Sequence, residues 1–255
     1  MGNGKRKSLH CSIKTNYNII DMTVQELRKQ IKNQGTQKRA KANAWFFKTG
    51  PGEYGEGDKF LGLTMGEQRV IAKSYVGLEL DDLIPLLKSS WHEERMVGLL
   101  VLTYKYPKAD EKEQKKIYNF YLTHRQAVNN WDLVDVTTPK VVGAYLLNKD
   151  RAILYKYAKS KDLWEKRIAV LATFAFIREG QFDDTLKIAK ILLDDTHDLI
   201  HKAVGWSLRE VGKKDMKLLE EFLKPLYNKM PRTMLRYTIE KFPKEKYQKY
   251  LKGQI

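Results

Sequence analysis

The sequence predicts an all-α protein, an α-solenoid of stacked helix-pair repeats. Three observations carry this reading. Apolar residues recur at helical spacing almost throughout, and no comparable alternating segment appears. Similar helices return at separations of 36, 36, 35 and 34 residues, from Arg95 in HEERMVGLL through Trp131 in NNWDLVD, Arg167 in WEKRIAVL and Lys202 in IHKAVGWSL to Arg236 in TMLRYTIEKF. A unit of that length cannot bury its apolar face alone and must stack, and stacked repeats curve so that their inner helices line a concave surface. Positive charge gathers at the two ends, +9 over residues 1–48 and +7 over residues 213–255, with a neutral stretch between.

In order along the chain, helices are expected near residues 22–34, 37–48 and 65–77, the last opened by Thr64 and Glu67 in TMGE as a capping box. Further helices follow at 80–88, 91–105 and 110–123, with Pro107 at an end where a missing N–H does least harm. The span 125–147 reads as one helix with a bend or break at Pro139, because Pro139 cannot donate to the Asp135 carbonyl. After 149–160 comes LWEKRIAVLATFAFI, whose Trp164, Ile168, Leu171 and Ala175 mark one buried face. The remaining helices fall at 182–194, 198–211, 215–227, 232–241 and 243–252, with Gly212 fitting a C-terminal position and Pro225, Pro231 and Pro243 near helix ends.

The 255 residues are enough for one large or two small units, each able to bury a core. We expect residues 21–255 to form a single repeat domain and residues 1–20 a basic extension with little order. No apolar run approaches the roughly 18 to 20 residues that span a bilayer, and the N-terminus lacks a secretory apolar stretch. The lone Cys11 excludes an internal disulfide and cysteine-rich metal modules, and points to the reducing cytoplasm. A net charge of +16 with both ends positive attracts a polyanion, nucleic acid ahead of an anionic membrane, with solvated helix faces as the plain alternative.

Trp131 and Asp135 stand four residues apart and share a helix face, while Asp132 points about 100° away. A carboxylate beside an indole at a helix irregularity suits a site; a core Trp with a locally bonded Asp is the plainer reading. Arg167 lies on an apolar stripe with Trp164, Leu171 and Phe174, so its guanidinium must be paired or face a cavity. It either contacts phosphate through its planar fork or bridges to Asp135 one repeat earlier, a bridge that Arg95 on its own stripe supports. Trp206 is bracketed by Lys202 and Arg209, which suits a groove for a charged ligand, although an isolated Trp also serves as core. Two apparent motifs are discounted. Gly50 to Gly55 matches G-x-G-x-x-G but follows a helix and carries acidic neighbours, so it reads as a flexible loop. His197 and His201 have i, i+4 spacing but neither the partner glutamate nor a third ligand, so no metal and no cofactor is expected.

NNWDLVD, LWEKRIAVLATFAFI, DLIHKAVGWSLREVGK and MPRTMLRYTIEKFP together resemble the AlkD-type DNA alkylation repair glycosylases, over about residues 22–252. Trp131 and Asp135 match W-D-x-V-D, Arg167 the W-x-x-R helix, and Trp206 the K-A-x-G-W-x-L-R-E run. The resemblance implies a C-shaped stack of HEAT-like repeats with a basic groove. It also implies hydrolysis of the N-glycosidic bond of cationic N3- and N7-alkylated purines in duplex DNA, by a monomer in the cytoplasm held near the nucleoid by DNA. It places Asp135, Trp131 and Trp206 in catalysis, and Arg167, Arg209, Lys202, Phe46, Thr64 and Arg69 at the DNA. Phe46 stands where relatives can have tyrosine, and TMGEQR, with Thr64 and Arg69, varies the helix start that meets phosphate. A cationic purine leaves without a general acid, so one carboxylate to stabilise an oxocarbenium-like sugar and position water would suffice, with Trp131 and Trp206 cradling the cation. The competing class is a non-catalytic repeat scaffold that binds DNA shape or a protein.

Overall fold

The computed structural model describes residues 23–255; the N-terminal extension lies outside them. Among the described residues every regular element is a helix, and the one bridge, between Lys59 and Trp91, is isolated. Helix α1 (Val24–Gln34) starts where the Thr23 hydroxyl accepts the Glu26 N–H at 3.2 Å, and buries Leu27 and Ile31. Helix α2 (Gln37–Phe46) buries no residue. Helix α3 (Met65–Ser74) opens with the expected capping box: Thr64 Oγ1 accepts Glu67 N–H at 3.2 Å, and Glu67 accepts Thr64 N–H at 2.7 Å. A 3-10 turn then runs into α4 (Ile84–Leu87), followed by α5 (His92–Lys105) and α6 (Glu111–Thr123).

The span 125–147 is not one helix. After a 3-10 turn at Arg125–Ala127, the Asn130 side chain accepts the Trp131 N–H at 2.8 Å and starts α7 (Trp131–Thr138) afresh. At Pro139 the backbone changes to a π-helix, Pro139–Gly143, before the short α8 (Ala144–Leu146). The proline removes the donor that Asp135's carbonyl would have received, and the wider turn takes up the mismatch. Helices α9 (Ala152–Ala158), α10 (Leu163–Arg178), α11 (Asp183–Ile191), α12 (Asp198–Lys214), α13 (Met216–Leu223), α14 (Arg232–Thr238) and α15 (Lys244–Lys252) complete the chain. Gly212 lies inside α12 rather than beyond its end, and the space a Cβ would need there is taken by Leu219.

The five helices aligned by the sequence repeat are α5, α7, α10, α12 and α14, and each packs on the next. Their apolar faces belong to one continuous core that runs from Leu27 to Tyr250. Helices α5 and α10 are its most deeply buried elements, with every residue from His92 to Thr103 and from Arg167 to Ile177 buried. Among the described residues no helix is long and apolar enough to cross a membrane.

Candidate active site

The start of α7 is held by a buried polar network. His92, at the first position of α5, bonds Asp58 through Nδ1 at 3.1 Å and Asp132 through Nε2 at 2.9 Å. Arg95 donates to Asp58 at 2.6 Å and to the carbonyls of Ser89 and Ala127, so it braces the α2–α3 connection and the turn before α7, and not Asp135. Asn130 donates to Asp58 at 3.3 Å while capping α7. Burial alone would lower the His92 pKa, but the Asp132 charge and the hydrogen bonds of both carboxylates push it up to about 9. This linkage adds stability that is fully present below the unfolded value near 6.5 and is lost as pH rises through about 9, on the order of 3 kcal/mol. Thermal melts should therefore show a fall in Tm between pH 7 and 9.5 that His92→Gln abolishes; an unchanged slope in that variant would contradict the assignment.

On this platform Trp131 stacks on Phe47, with centroids 5.2 Å apart, and Phe46 meets its ring edge-on at 5.8 Å. Phe47 in turn stacks on Phe60 and lies beside His92. Phe47, not singled out in the sequence, is the direct support of Trp131; Phe46 is 53 % exposed. One turn along α7, Asp135 faces Arg167 of α10. The guanidinium grips both carboxylate oxygens, Nε to Oδ1 and Nη2 to Oδ2, each at 2.8 Å, and donates through Nη1 to the Leu199 carbonyl at 2.6 Å. Burial raises the Asp135 pKa, against the lowering effect of Arg167. Each oxygen keeps a lone pair beyond the one Arg167 uses, enough to hold a water or face a cation.

Trp206 of α12 packs edge-on against Phe174 of α10 at 4.6 Å, and its indole N–H donates to Glu210 at 3.1 Å. The two cations that bracket it are ion-paired: Lys202 with Asp198 at 2.6 Å, and Arg209 with Glu240 and Glu210. Thr64 spends its hydroxyl on the α3 cap. Arg69 is exposed on α3, and its field reaches Lys140 on the π-helix, as does that of Arg178. Burial and these two cations hold the Lys140 pKa below its ordinary value. Arg178 stands eleven residues after Arg167 on α10, so the two share a face, and Lys140 and Arg178 are cations that local sequence reading did not collect. His197 caps α12 by accepting the Leu199 N–H, and His201 bonds the Asp195 carbonyl, which gives both structural work.

The segment from Gly50 to Gly55 is a chain of turns rather than a loose loop. It carries Tyr54, whose ring meets Trp164 edge-on at 6.2 Å. No local pattern selects Tyr54, because its position depends on the anchoring of Asp58 by His92, 34 residues further on.

A family model described as DNA alkylation repair enzyme matches residues 27–242. The chain belongs to that family. Among solved structures, a predicted DNA alkylation repair enzyme from Enterococcus faecalis is similar in fold, with a TM-score of 0.65 at 17 % identity, covering 83 % of this chain and 98 % of that one. Among curated proteins none matches the sequence.

Proposed function

We propose that this protein is a monofunctional DNA glycosylase that releases cationic N3- and N7-alkylated purines from duplex DNA. The observation that carries the reading is Asp135, a largely buried but still accessible carboxylate one turn from the Trp131 indole and oriented by the Arg167 fork. In the reaction the glycosidic bond breaks with its electron pair going to the purine, which becomes neutral as it leaves. The sugar carries the positive charge, and Asp135 stabilises it and directs a water whose oxygen bonds to the anomeric carbon while its surplus proton passes to Asp135 and on to solvent. Trp131 and Trp206 offer π faces to the cationic nucleotide. Arg69, Lys140 and Arg178 supply positive charge for the phosphates. Arg167 then has two tasks, keeping Asp135 in place and lending its remaining N–H groups to a phosphate, while Lys202 and Arg209 reach DNA only by exchanging their carboxylate partners. Phe46, exposed beside Trp131, and Thr64, at the α3 start, complete the surface. No metal or cofactor takes part in this scheme.

The two-point grip of Arg167 on Asp135 also fits a brace between repeats, and so favours the scaffold as second reading. Incubating the protein with methylated duplex DNA and assaying for free 7-methylguanine and 3-methyladenine separates them. Release supports the glycosylase; tight duplex binding with no release supports the scaffold.

A further inference from the structure

Trp131, Trp164 and Lys202 lie on α7, α10 and α12, and each stands one turn toward the helix N-terminus from a member of the candidate active site: Asp135, Arg167 and Trp206. Tyr54 meets this row. Its ring is edge-on to Trp164 at 6.2 Å, and burial raises its pKa while the Trp131 indole and the Lys202 charge act in the opposite direction. The phenol therefore contributes a neutral, bulky surface.

The segment that carries it is fixed at both ends and from within. Gly50 N–H donates to Glu53 at 2.8 Å, Gly52 N–H to Glu56 at 2.9 Å, and Gly55 N–H to the Lys48 carbonyl at 3.0 Å. A Cβ on Gly55 would lie 2.3 Å from the Phe47 carbonyl oxygen, so this turn is pressed against backbone. Beyond it, Asp58 is locked to His92, Arg95 and Asn130. A group that pushed Tyr54 aside would have to move a segment tied into that buried network.

We propose that Tyr54 is a specificity-determining residue, a fixed wall at the N-terminal end of the site that limits the size of the N-alkyl substituent it accepts. This rests on the glycosylase reading. The test compares wild type, Tyr54→Ala and Tyr54→Phe on duplexes with a single 7-methylguanine or a single 7-(2-hydroxyethyl)guanine, as the ratio of kcat/KM values. Tyr54→Ala should raise the ratio of the larger to the smaller substrate at least about tenfold, the scale of discrimination set by a group of this size. Tyr54→Phe should restore the wild-type ratio, because the ring is the wall. A merely loosened loop would lower both rates together and leave the ratio unmoved; an unmoved ratio in Tyr54→Ala overturns the proposal while the glycosylase reading stands. Wild-type protein that releases neither base overturns both.

Discussion

Asp135→Asn is expected to fold and bind duplex DNA much as wild type while releasing methylated purines at least about a hundredfold more slowly, equivalent to roughly 2.7 kcal/mol of transition-state stabilisation. The stability half of this expectation follows from linkage. Burial raises the Asp135 pKa despite Arg167, so the folded protein accepts a neutral group at this position more readily than the unfolded chain does. The amide is close to that neutral state in shape, and its oxygen still accepts one N–H of Arg167, which also keeps the Leu199 carbonyl. What the amide lacks is the negative charge facing the sugar cation. A brace between repeats behaves in the opposite way, since neutralising it would lower stability and DNA affinity would follow. Single-turnover release together with urea unfolding decides, and full activity or inactivity through unfolding alone refutes the catalytic assignment.

Arg167→Ala is expected to be the more damaging change to the fold, costing roughly 3 to 5 kcal/mol as a largely buried carboxylate loses the one charged partner it has among the described residues. Two hydrogen bonds to Asp135 and one to Leu199 disappear together, and nothing opposes the burial that already raises the Asp135 pKa. In whatever fraction stays folded, the acid limb of the release profile should move to higher pH, because Asp135 must be ionised to act. Arg167→Lys should recover part of the stability through its charge, but not the two-point grip. An Arg167→Ala protein as stable as wild type would show that the pair is incidental.

Much of this was legible before any coordinates. The repeat that aligns Arg95, Trp131, Arg167, Lys202 and Arg236 corresponds to five helices that pack in sequence, because burial forces equivalent stripes to face equivalent neighbours. The pairing of Arg167 with Asp135 is one of the two alternatives that the apolar stripe around Arg167 leaves open. The restart of α7 at Trp131 is visible locally only through Asn130, whose capping role competes with the apolar period around it. Arg95 repeats the stripe position of Arg167 yet serves Asp58, since its partner comes from a connection thirty-seven residues away that no periodicity announces. Phe47 and Tyr54 escaped for the same reason. They lie where the helical pattern stops, and what aims them at Trp131 and Trp164 is packing and the Asp58–His92–Asp132 network.

In this mechanism the positive charge of the lesion replaces a general acid. The decisive comparison places 7-methylguanine or hypoxanthine, a cationic and an uncharged purine lesion, at one position of the same duplex and follows base release under single-turnover conditions. Release of 7-methylguanine and no detectable release of hypoxanthine are expected. Comparable release of both, or binding of the duplex without release of 7-methylguanine, would contradict this mechanism.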